Sequence, residues 1–252
     1  MDWDAPAIVL DVRPYGEGDA VAAVMTEQHG LHRGLARGGG SRAQGAVWQP
    51  GNLAQVRWVA RLAEQLGSFS AELIHPGAAL AMADPLALGI LSSACAVAAG
   101  VLPDHEPHPR VFDGLLHLIA RLPQGASVLD MLVRWEAVLL AELGYGLDLA
   151  ACAVTGETTG LGWVSPKTGR AVTEAGAGVW KIRLLRLPPF MVSDVPGTAG
   201  DWRDGLRLTG HFLERDAFGQ HHRPLPQARR MLYDRVAALA DPLAESETSD
   251  AG

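Results

Sequence analysis

Arginines clustered near the amino end are the side chains with the clearest chemical potential. The interval between Glu27 and Glu64 contains no aspartate or glutamate, although the whole chain has a formal charge of −7. Five arginines fall within it: Arg33, Arg37, Arg42, Arg57 and Arg61. Guanidinium groups bind phosphate oxygens in pairs, and cations repeated along a line suit a phosphate backbone. The pattern therefore indicates contact with a polyanion; the alternative is a solvated strand face.

Motifs for catalysis and for metal or nucleotide binding are weak by comparison. His105 and His108 have a spacing that metal ligands use, but Pro107 and Pro109 interrupt any helix there, which favours a turn before a helix. Residues 38–41 (GGGS) lack the Lys-Ser/Thr ending of a phosphate-binding loop, which favours a flexible connection. No nucleophile motif is present. The sequence therefore predicts a protein that is not an enzyme and uses no cofactor and no metal.

The cysteines and the longest uncharged segment bear on where the protein works. Cys95 and Cys152 lie far apart among apolar residues, so no disulfide is expected and a reducing compartment is the default. Residues 85–102 carry no charge, and their length borders on that of a spanning helix. The run is rich in Ala, Gly and Ser, and Asp84 and Asp104 flank it without a basic anchor. We therefore expect a buried core helix, no membrane contact and a cytoplasmic location.

The clustered arginines belong to a part of the chain that reads as β-structure. Five strand-like segments occur within about 75 residues, at 7–12, 20–27, 31–38, 52–61 and 67–74. Alternation along the fourth segment puts Val56 and Trp58 on one face and Arg57 and Arg61 on the other. Trp58 is therefore expected in the core, as is Trp48, although both rings could stack on bases. Five short strands predict an OB-fold β-barrel over residues 1–80.

From residue 84 onward the apolar spacing becomes helical. Asp84 followed by Pro85 predicts a helix start, and Ser127 with Asp130 predicts a capping box that opens a helix ending before Gly144. Residues 81–240 are therefore expected to form an α-helical domain that contains an irregular module at about 148–178. Residues 241–252 have the composition of a disordered tail. The predicted fold class is α+β.

Three segments of the chain carry recognisable motifs. The first is AIVLDVRPYGEGDAVAAVMTEQHG leading into LARGGGSR. The second is the CAVTG that begins at Cys152, with VSPKTGRAV at residues 164–172. The third is LTGHFLERDAFG followed by RPLPQARRMLYDRV. In their order and spacing, these three segments together resemble the bacterial recombination mediator family RecO, and the resemblance extends from residue 5 to about residue 240.

The resemblance implies functions that the residues alone do not. It implies binding of single- and double-stranded DNA, annealing of complementary strands, and help in loading the RecA recombinase onto strands coated with single-strand-binding protein (SSB). It implies RecR and the acidic carboxyl-terminal tail of SSB as partners, and a nucleoid-associated location. It also implies an OB-fold, an α-helical domain and a central module that binds zinc in some members.

The chain departs from the zinc-binding members of that family. Those members carry two CxxC pairs, whereas Cys152 is followed by Thr155 in the second position of the first pair, and no cysteine follows. One thiolate cannot make a four-ligand structural site, so we expect a zinc-ribbon-like module that has lost its metal. Packing of Leu161, Trp163 and Val172 is expected to hold it instead.

Two further hypotheses concern binding to proteins. An acidic tail needs an apolar groove rimmed by cations, and Arg110, Arg121 and Arg134 lie on or beside two amphipathic helices that could supply one. The alternative is that these are ordinary solvated arginines. A different class of function is a non-enzymatic scaffold whose basic strand face docks an acidic protein partner rather than DNA.

Overall fold

The computed structural model describes residues 1–41, 44–62 and 65–241, and it divides into two compact units, Met1–Gly125 and Ala126–Gly252. Arg42 and residues 242–252 of the predicted tail lie outside the described residues. Strands give way to helices between His75 and Gly77, close to the predicted boundary at residue 80. The first compact unit nevertheless includes three helices beyond that point. The predicted domain limits stay a prediction.

Five strands in the first unit lie at the five predicted segments, although the first extends well beyond the predicted 7–12 at both ends. They are β1 (Asp2–Tyr15), β2 (Asp19–Thr26), β3 (Gly30–Ala36), β4 (Leu53–Val59) and β5 (Ser68–His75). The strand order is β1-β2-β3-β5-β4, and β1 pairs with both β2 and β4, which closes the sheet into a barrel. Strand β1 makes both pairings because it is 14 residues long and bulges between Val9 and Asp11. The predicted five-stranded sheet is confirmed.

Apolar side chains that alternate along the strands fill the barrel. Val56 and Trp58 point inward, as the alternation predicts, and pack with Phe69 of β5. A Cβ at Gly34 of β3 would come within 2.8 Å of the Phe69 ring, so the glycine leaves room for that ring. Trp58 and Trp48 are only 3% and 4% exposed. Both tryptophans are therefore core residues, as expected.

Three helices complete the first unit. They are α1 (Gly77–Ala81), α2 (Pro85–Val101) and α3 (Pro109–Arg121). Helix α2 starts as predicted, because the Asp84 carboxylate accepts a hydrogen bond from the Leu86 amide at 2.8 Å. The helix packs on β1, and the buried Cys95 thiol lies 3.9 Å from the Val9 carbonyl oxygen. Among the described residues, no helix is long and apolar enough to cross a bilayer.

A buried ion pair ties together the helices of the second unit. These are α4 (Val128–Glu142), the short α5 (Glu174–Ala177), α6 (Ala199–Phe212) and α7 (Gln227–Ala240). The Arg229 side chain on α7 is 1% exposed and pairs with Glu136 on α4, which is 0% exposed. Arg229 also donates a 2.7 Å hydrogen bond to the Leu206 carbonyl of α6. The helical composition predicted for this region is confirmed.

The predicted capping box at the start of α4 is wrong. A 3₁₀ turn over Leu122–Ser127 leads directly into α4, so Ser127 is itself helical (φ −60°, ψ −18°) and makes no side-chain cap. Asp130 bonds elsewhere in the unit: it accepts from the Trp202 indole at 2.6 Å and from the Gly197 amide at 3.1 Å. The end of α4 is as predicted, since Gly144 adopts a positive φ of 86°.

The irregular module contains a small sheet. Strands β6 (Leu161–Val164), β7 (Ala171–Thr173) and β8 (Leu185–Arg186) pair in the order β7-β6-β8. Trp163 and Val172 are buried together with Cys152, and Leu161 packs against them. The expectation that these apolar side chains hold the module is confirmed.

Candidate nucleic-acid interface

Strand β5 lies between the two strands that carry the clustered arginines. Ser68, the first residue of β5, pairs with Leu35 of β3 on one side and with Val59 of β4 on the other. Arg57 pairs with Ser70, two residues further along β5. Because neighbouring strands are about 4.8 Å apart, the β3 and β4 backbones are separated by about 10 Å here. The fold therefore brings the two groups of arginines to one region of the sheet.

Alternation puts these arginines on the outside of the barrel. Ala36 and Phe69 are paired and point into the core, so the residues next to them, Arg37 and Ser70, face outward. Arg57 faces outward for the same reason, because its neighbours Val56 and Trp58 point inward. We call the outer surface of β3, β5 and β4 the arginine face. Its cations are Arg33, Arg37, Arg57 and Arg61.

Two of these four arginines are neutralised, which corrects the expectation of a face without carboxylates. Arg33 forms an ion pair with Asp104, and Arg57 pairs with Asp2 at 3.2 Å. The acids come from distant parts of the chain, 71 and 55 residues away in sequence. Glu72 also faces the outside of β5, opposite Gln55. The face is therefore mixed in charge rather than uniformly basic.

Arg37 and Arg61 remain as the exposed cations of the arginine face. Neither forms an ion pair within the described ranges, and both follow the last residues of their strands. Side-chain contacts of Arg42 lie outside the described residues. The ion pairs of Arg33 and Arg57 are half exposed, and pairs of that kind contribute only about 0–1 kcal/mol. A phosphate can therefore compete for these two guanidinium groups.

The rings of Trp3, His29, His32 and His105 form a cluster beside β3. The Trp3 ring stacks on His29 with centroids 5.0 Å apart, and His32 stacks on His105 at 4.2 Å. His32 is only 7% exposed. Burial, and then the charges of His105 and His29, lower the pKa of His32 to about 4. His32 is therefore neutral at physiological pH and adds no charge to the face.

The arginines predicted to rim a peptide groove belong to different compact units. Arg110 and Arg121 belong to the first unit and Arg134 to the second. The Arg121 guanidinium lies 3.4 Å from the Gln124 side-chain oxygen, and Arg134 donates to the Ser193 carbonyl at 3.0 Å. Their assignment to a partner site stays a prediction.

The residues around Cys152 do not fit a zinc ion. The Cys152 sulfur accepts hydrogen bonds from the backbone amides of Thr155 and Thr173, at 3.4 Å and 3.3 Å. Burial opposes ionisation of the thiol, but hydrogen bonds from Thr155 and Thr173 outweigh it and lower the pKa of Cys152 to about 6. Amides and hydroxyls thus surround the sulfur where zinc would need further thiolate or imidazole ligands. Elsewhere in the described residues, no group of three His, Cys, Asp or Glu side chains is arranged to hold a metal.

Comparisons with known proteins match nearly the whole chain. Residues 1–76 match the family model "Recombination protein O N terminal", and residues 82–224 match "Recombination protein O C terminal". A DNA repair protein RecO of Granulibacter bethesdensis is 59% identical over 244 residues, covering 96% of this chain and 98% of that protein. One of Gluconacetobacter diazotrophicus is 58% identical over 95% of this chain and 96% of that protein. A DNA repair protein RecO of Acidiphilium cryptum is 54% identical, covering 94% of this chain and 96% of that protein.

The fold and these matches together define the class of protein. A five-stranded sheet followed by helices, matched in order by the amino- and carboxyl-terminal models of one recombination protein, defines a two-part α+β protein of DNA repair and recombination. The chain belongs to the RecO family. The resemblance noted in the sequence is confirmed.

Proposed function

We propose that the protein is a recombination mediator that binds single- and double-stranded DNA through the arginine face. In this proposal the barrel is an OB-fold and the small sheet is a zinc-ribbon-like module without its metal. The protein anneals complementary strands and helps to load RecA onto single-stranded DNA coated with SSB. RecR and the acidic tail of SSB are its protein partners. It is not an enzyme, and it acts in the nucleoid-associated cytoplasm.

One observation carries the DNA-binding part of the proposal: Ser68 of β5 pairs with both Leu35 and Val59, so the arginines of β3 and β4 share one outer surface. Two lines of cations about 10 Å apart, with small serines between them, suit an extended phosphate backbone. The tryptophans nearest the face are buried, so the contact supplies charge rather than base stacking.

This chemistry also supports annealing. A strand held by its phosphates keeps its bases free to pair, because no aromatic side chain of the barrel core can reach them. Guanidinium groups screen the repulsion between two backbones, which otherwise opposes duplex formation. A face of mixed charge binds weakly enough to release the paired product.

Fluorescence anisotropy of a labelled single-stranded oligonucleotide at several salt concentrations tests the proposal. Each phosphate neutralised on a single strand contributes a slope of about −0.7 in log K against log salt, so five contacts give about −3.5. If Arg33 and Arg57 stay with their carboxylates, the three other arginines give about −2.1. A slope near zero would remove the electrostatic mechanism.

Charge-reversal variants identify the contacting residues. Arg37→Glu and Arg61→Glu should each weaken binding about tenfold at low salt, equally for all sequences, since phosphate contacts carry no sequence information. Arg13→Glu is the matched control, because Arg13 lies on β1, is 81% exposed and already pairs with Asp11. Equal losses in Arg13→Glu and Arg37→Glu would show that net charge, not the arginine face, determines binding.

A second candidate function is a protein scaffold that does not touch DNA. The observation in its favour is the pairing of Arg33 with Asp104 and of Arg57 with Asp2, which leaves alternating charges suited to a protein surface. In that case an acidic protein partner would bind the arginine face, and free oligonucleotide would not compete with it. Competition by oligonucleotide at low salt would exclude the scaffold.

The tail of SSB requires its own test, since it binds separately from DNA in this proposal. A labelled peptide of that tail should bind the full chain, and the sequence assigns Arg110, Arg121 and Arg134 to its groove. Arg121→Glu is the direct check on that assignment, and an unchanged peptide affinity would contradict it.

A further inference from the structure

The arginine face by itself does not distinguish single-stranded from double-stranded DNA. Guanidinium groups bind phosphate oxygens, and both kinds of DNA present a phosphate backbone. A preference for single strands needs a group that contacts the flat face of an unpaired base, and aromatic side chains do this by stacking. Trp48 and Trp58 are buried in the barrel core and cannot make that contact. A stacking ring therefore has to come from outside the core.

Tyr15, the last residue of β1, carries an open ring. It is 59% exposed, and it is the one exposed residue among the tyrosines, tryptophans and phenylalanines that the structure describes in the first unit. Within the described ranges, neither its ring nor its hydroxyl has a side-chain partner. Single exposed apolar side chains are common on protein surfaces, so the exposure of this ring matters only because of what lies next to it.

Strand pairing places Tyr15 in one row with Arg37. Tyr15 pairs with Asp19 of β2, and the next residue of β2, Ala20, pairs with Ala36 of β3. One step further along both strands, Asp19 therefore lies opposite Arg37. Ala20 and Ala36 are buried, so the residues next to them face outward. Two strand spacings of about 4.8 Å put the Tyr15 backbone about 10 Å from that of Arg37.

Hydrogen bonds hold the chain after Arg37 against the hairpin of β1 and β2. The Gly38 amide donates to the Asp19 carboxylate at 2.7 Å, and the Gly40 amide donates to the Gly18 carbonyl at 3.0 Å. This part of the glycine segment is therefore a bonded turn rather than a free connection. It fixes the spacing of the strands that carry the ring and the arginine.

We propose that Tyr15 stacks on one base of a strand whose phosphates bind the arginine face, and that this contact makes the protein prefer single-stranded to double-stranded DNA. The inference rests on the proposed function and adds to it the kind of strand that the face selects. Asp19 sets the direction of the bound strand, because its carboxylate repels phosphate and tolerates a neutral base. The phosphates therefore lie on the Arg37 side, and the base lies over Asp19 and Tyr15.

Base pairing decides whether the ring can act. In a duplex the faces of each base are covered by the bases above and below it, except at the ends. In a single strand a base can turn out of the stack, and a ring binds it with little regard to sequence because every base has a flat face. Tyr15 therefore adds to the binding of a single strand and not to that of a duplex. One ring holds one base, so the other bases stay free to pair.

Anisotropy titrations of the full chain with a labelled single strand and with a long labelled duplex test the inference. Tyr15→Ala should weaken binding of the single strand about fivefold or more and change duplex binding less than about twofold. Tyr15→Phe keeps the stacking surface and should bind the single strand within about twofold of the original chain. Trp180→Ala is the matched control, because Trp180 is also 59% exposed but belongs to the second unit; it should change neither affinity.

The salt dependence of binding separates stacking from charge. Tyr15→Ala should leave the slope of log K against log salt unchanged, because a neutral ring releases no counterion. Arg37→Glu should make that slope shallower by about 0.7 on a single strand, and it should weaken the binding of both kinds of DNA. A change of slope in Tyr15→Ala would mean that the substitution displaced the arginines, and it would contradict the stacking role.

Three affinity results would overturn the inference and leave the proposed function standing, provided that Arg37→Glu still weakens binding. The first is a Tyr15→Ala variant that binds the single strand as tightly as the original chain. The second is an equal loss for single strand and duplex, since a stacking contact cannot act on paired bases. The third is an equal loss in Trp180→Ala. A salt slope near zero in the original chain would instead contradict the arginine face itself.

Discussion

The buried pair Arg229–Glu136 gives a stability prediction that follows directly from the geometry. Glu136 Oε1 accepts from Arg229 Nε at 2.6 Å, and Oε2 accepts from Nη2 at 3.0 Å. Arg229→Met keeps much of the side-chain volume but leaves the Glu136 carboxylate buried, with the Thr209 hydroxyl as its only remaining donor among the described residues. An uncompensated buried charge costs about 3–5 kcal/mol, so we expect a loss of about 4 kcal/mol.

A double-mutant cycle isolates the cost of the unpaired charge. Glu136→Leu alone should also destabilise the fold strongly, because it leaves the buried Arg229 guanidinium group without its carboxylate partner. Glu136→Leu combined with Arg229→Met removes both charges, and the Thr209 hydroxyl, which donates to Glu136 in the original chain, can then donate to the Gly205 carbonyl 3.1 Å away. The double variant should therefore lie within about 1–2 kcal/mol of the original chain, since apolar replacements of buried pairs are often neutral.

Urea unfolding followed by far-ultraviolet circular dichroism measures these differences. If the free energy of unfolding falls by about 2 kcal/mol per molar urea, a loss of about 4 kcal/mol lowers the urea midpoint by about 2 M. The singles and the double should show a coupling energy of several kcal/mol. A loss of less than about 1.5 kcal/mol for Arg229→Met, or single losses that simply add in the double variant, would show that the unpaired charge is not what destabilises the fold.

Two further predictions concern the barrel. Because the pKa of His32 is about 4 when folded and about 6.5 when unfolded, the unfolded chain binds the extra proton between these values, and stability falls as the pH drops through 6.5. The loss between pH 7 and pH 5 should be about 2 kcal/mol by urea unfolding, and His32→Phe should remove most of this difference; an equal loss in that variant would contradict the assignment. Asp2→Asn should raise oligonucleotide affinity about threefold at low salt by freeing Arg57, and an unchanged anisotropy titration would show that this arginine does not meet phosphate.

The barrel strands could be predicted because the alternation that identifies each strand lies within that strand's own sequence. Period-2 alternation along β4 assigns Val56 and Trp58 to the core and Arg57 to the outside, and the structure agrees. The acids that neutralise Arg33 and Arg57 were not predictable. They come from chain segments whose positions depend on strand order and on the path of α2, and neither of these follows from alternation.

In the second unit, sequence patterns failed to predict which side chains are buried and which are exposed. Arg229 belongs to a helix rich in charged residues, so its sequence context predicts a solvated side chain. It is almost completely buried because it pairs with Glu136, which is 93 residues away in sequence. The apolar side chains of Val179, Trp180 and Ile182 are exposed, and they lie in a segment whose sequence pattern is irregular. Its alternation of apolar and basic residues, VWKIR at 179–183, was the available signal.

If the arginine face binds DNA as proposed, its ion-paired arginines affect how tightly it holds the strand. An uninterrupted row of free cations would hold single-stranded DNA tightly and resist its transfer to a recombinase. Under the proposed function, the Asp104 and Asp2 carboxylates would instead compete with phosphate for Arg33 and Arg57, since each carboxylate can return when a phosphate leaves. Exchange of this kind would cost about 1 kcal/mol per pair, so in the proposed function the strand would be held mainly by the two exposed arginines and released readily. A mediator of the proposed kind has to deliver the strand it binds, and a face of mixed charge would serve that purpose better than a uniformly basic one.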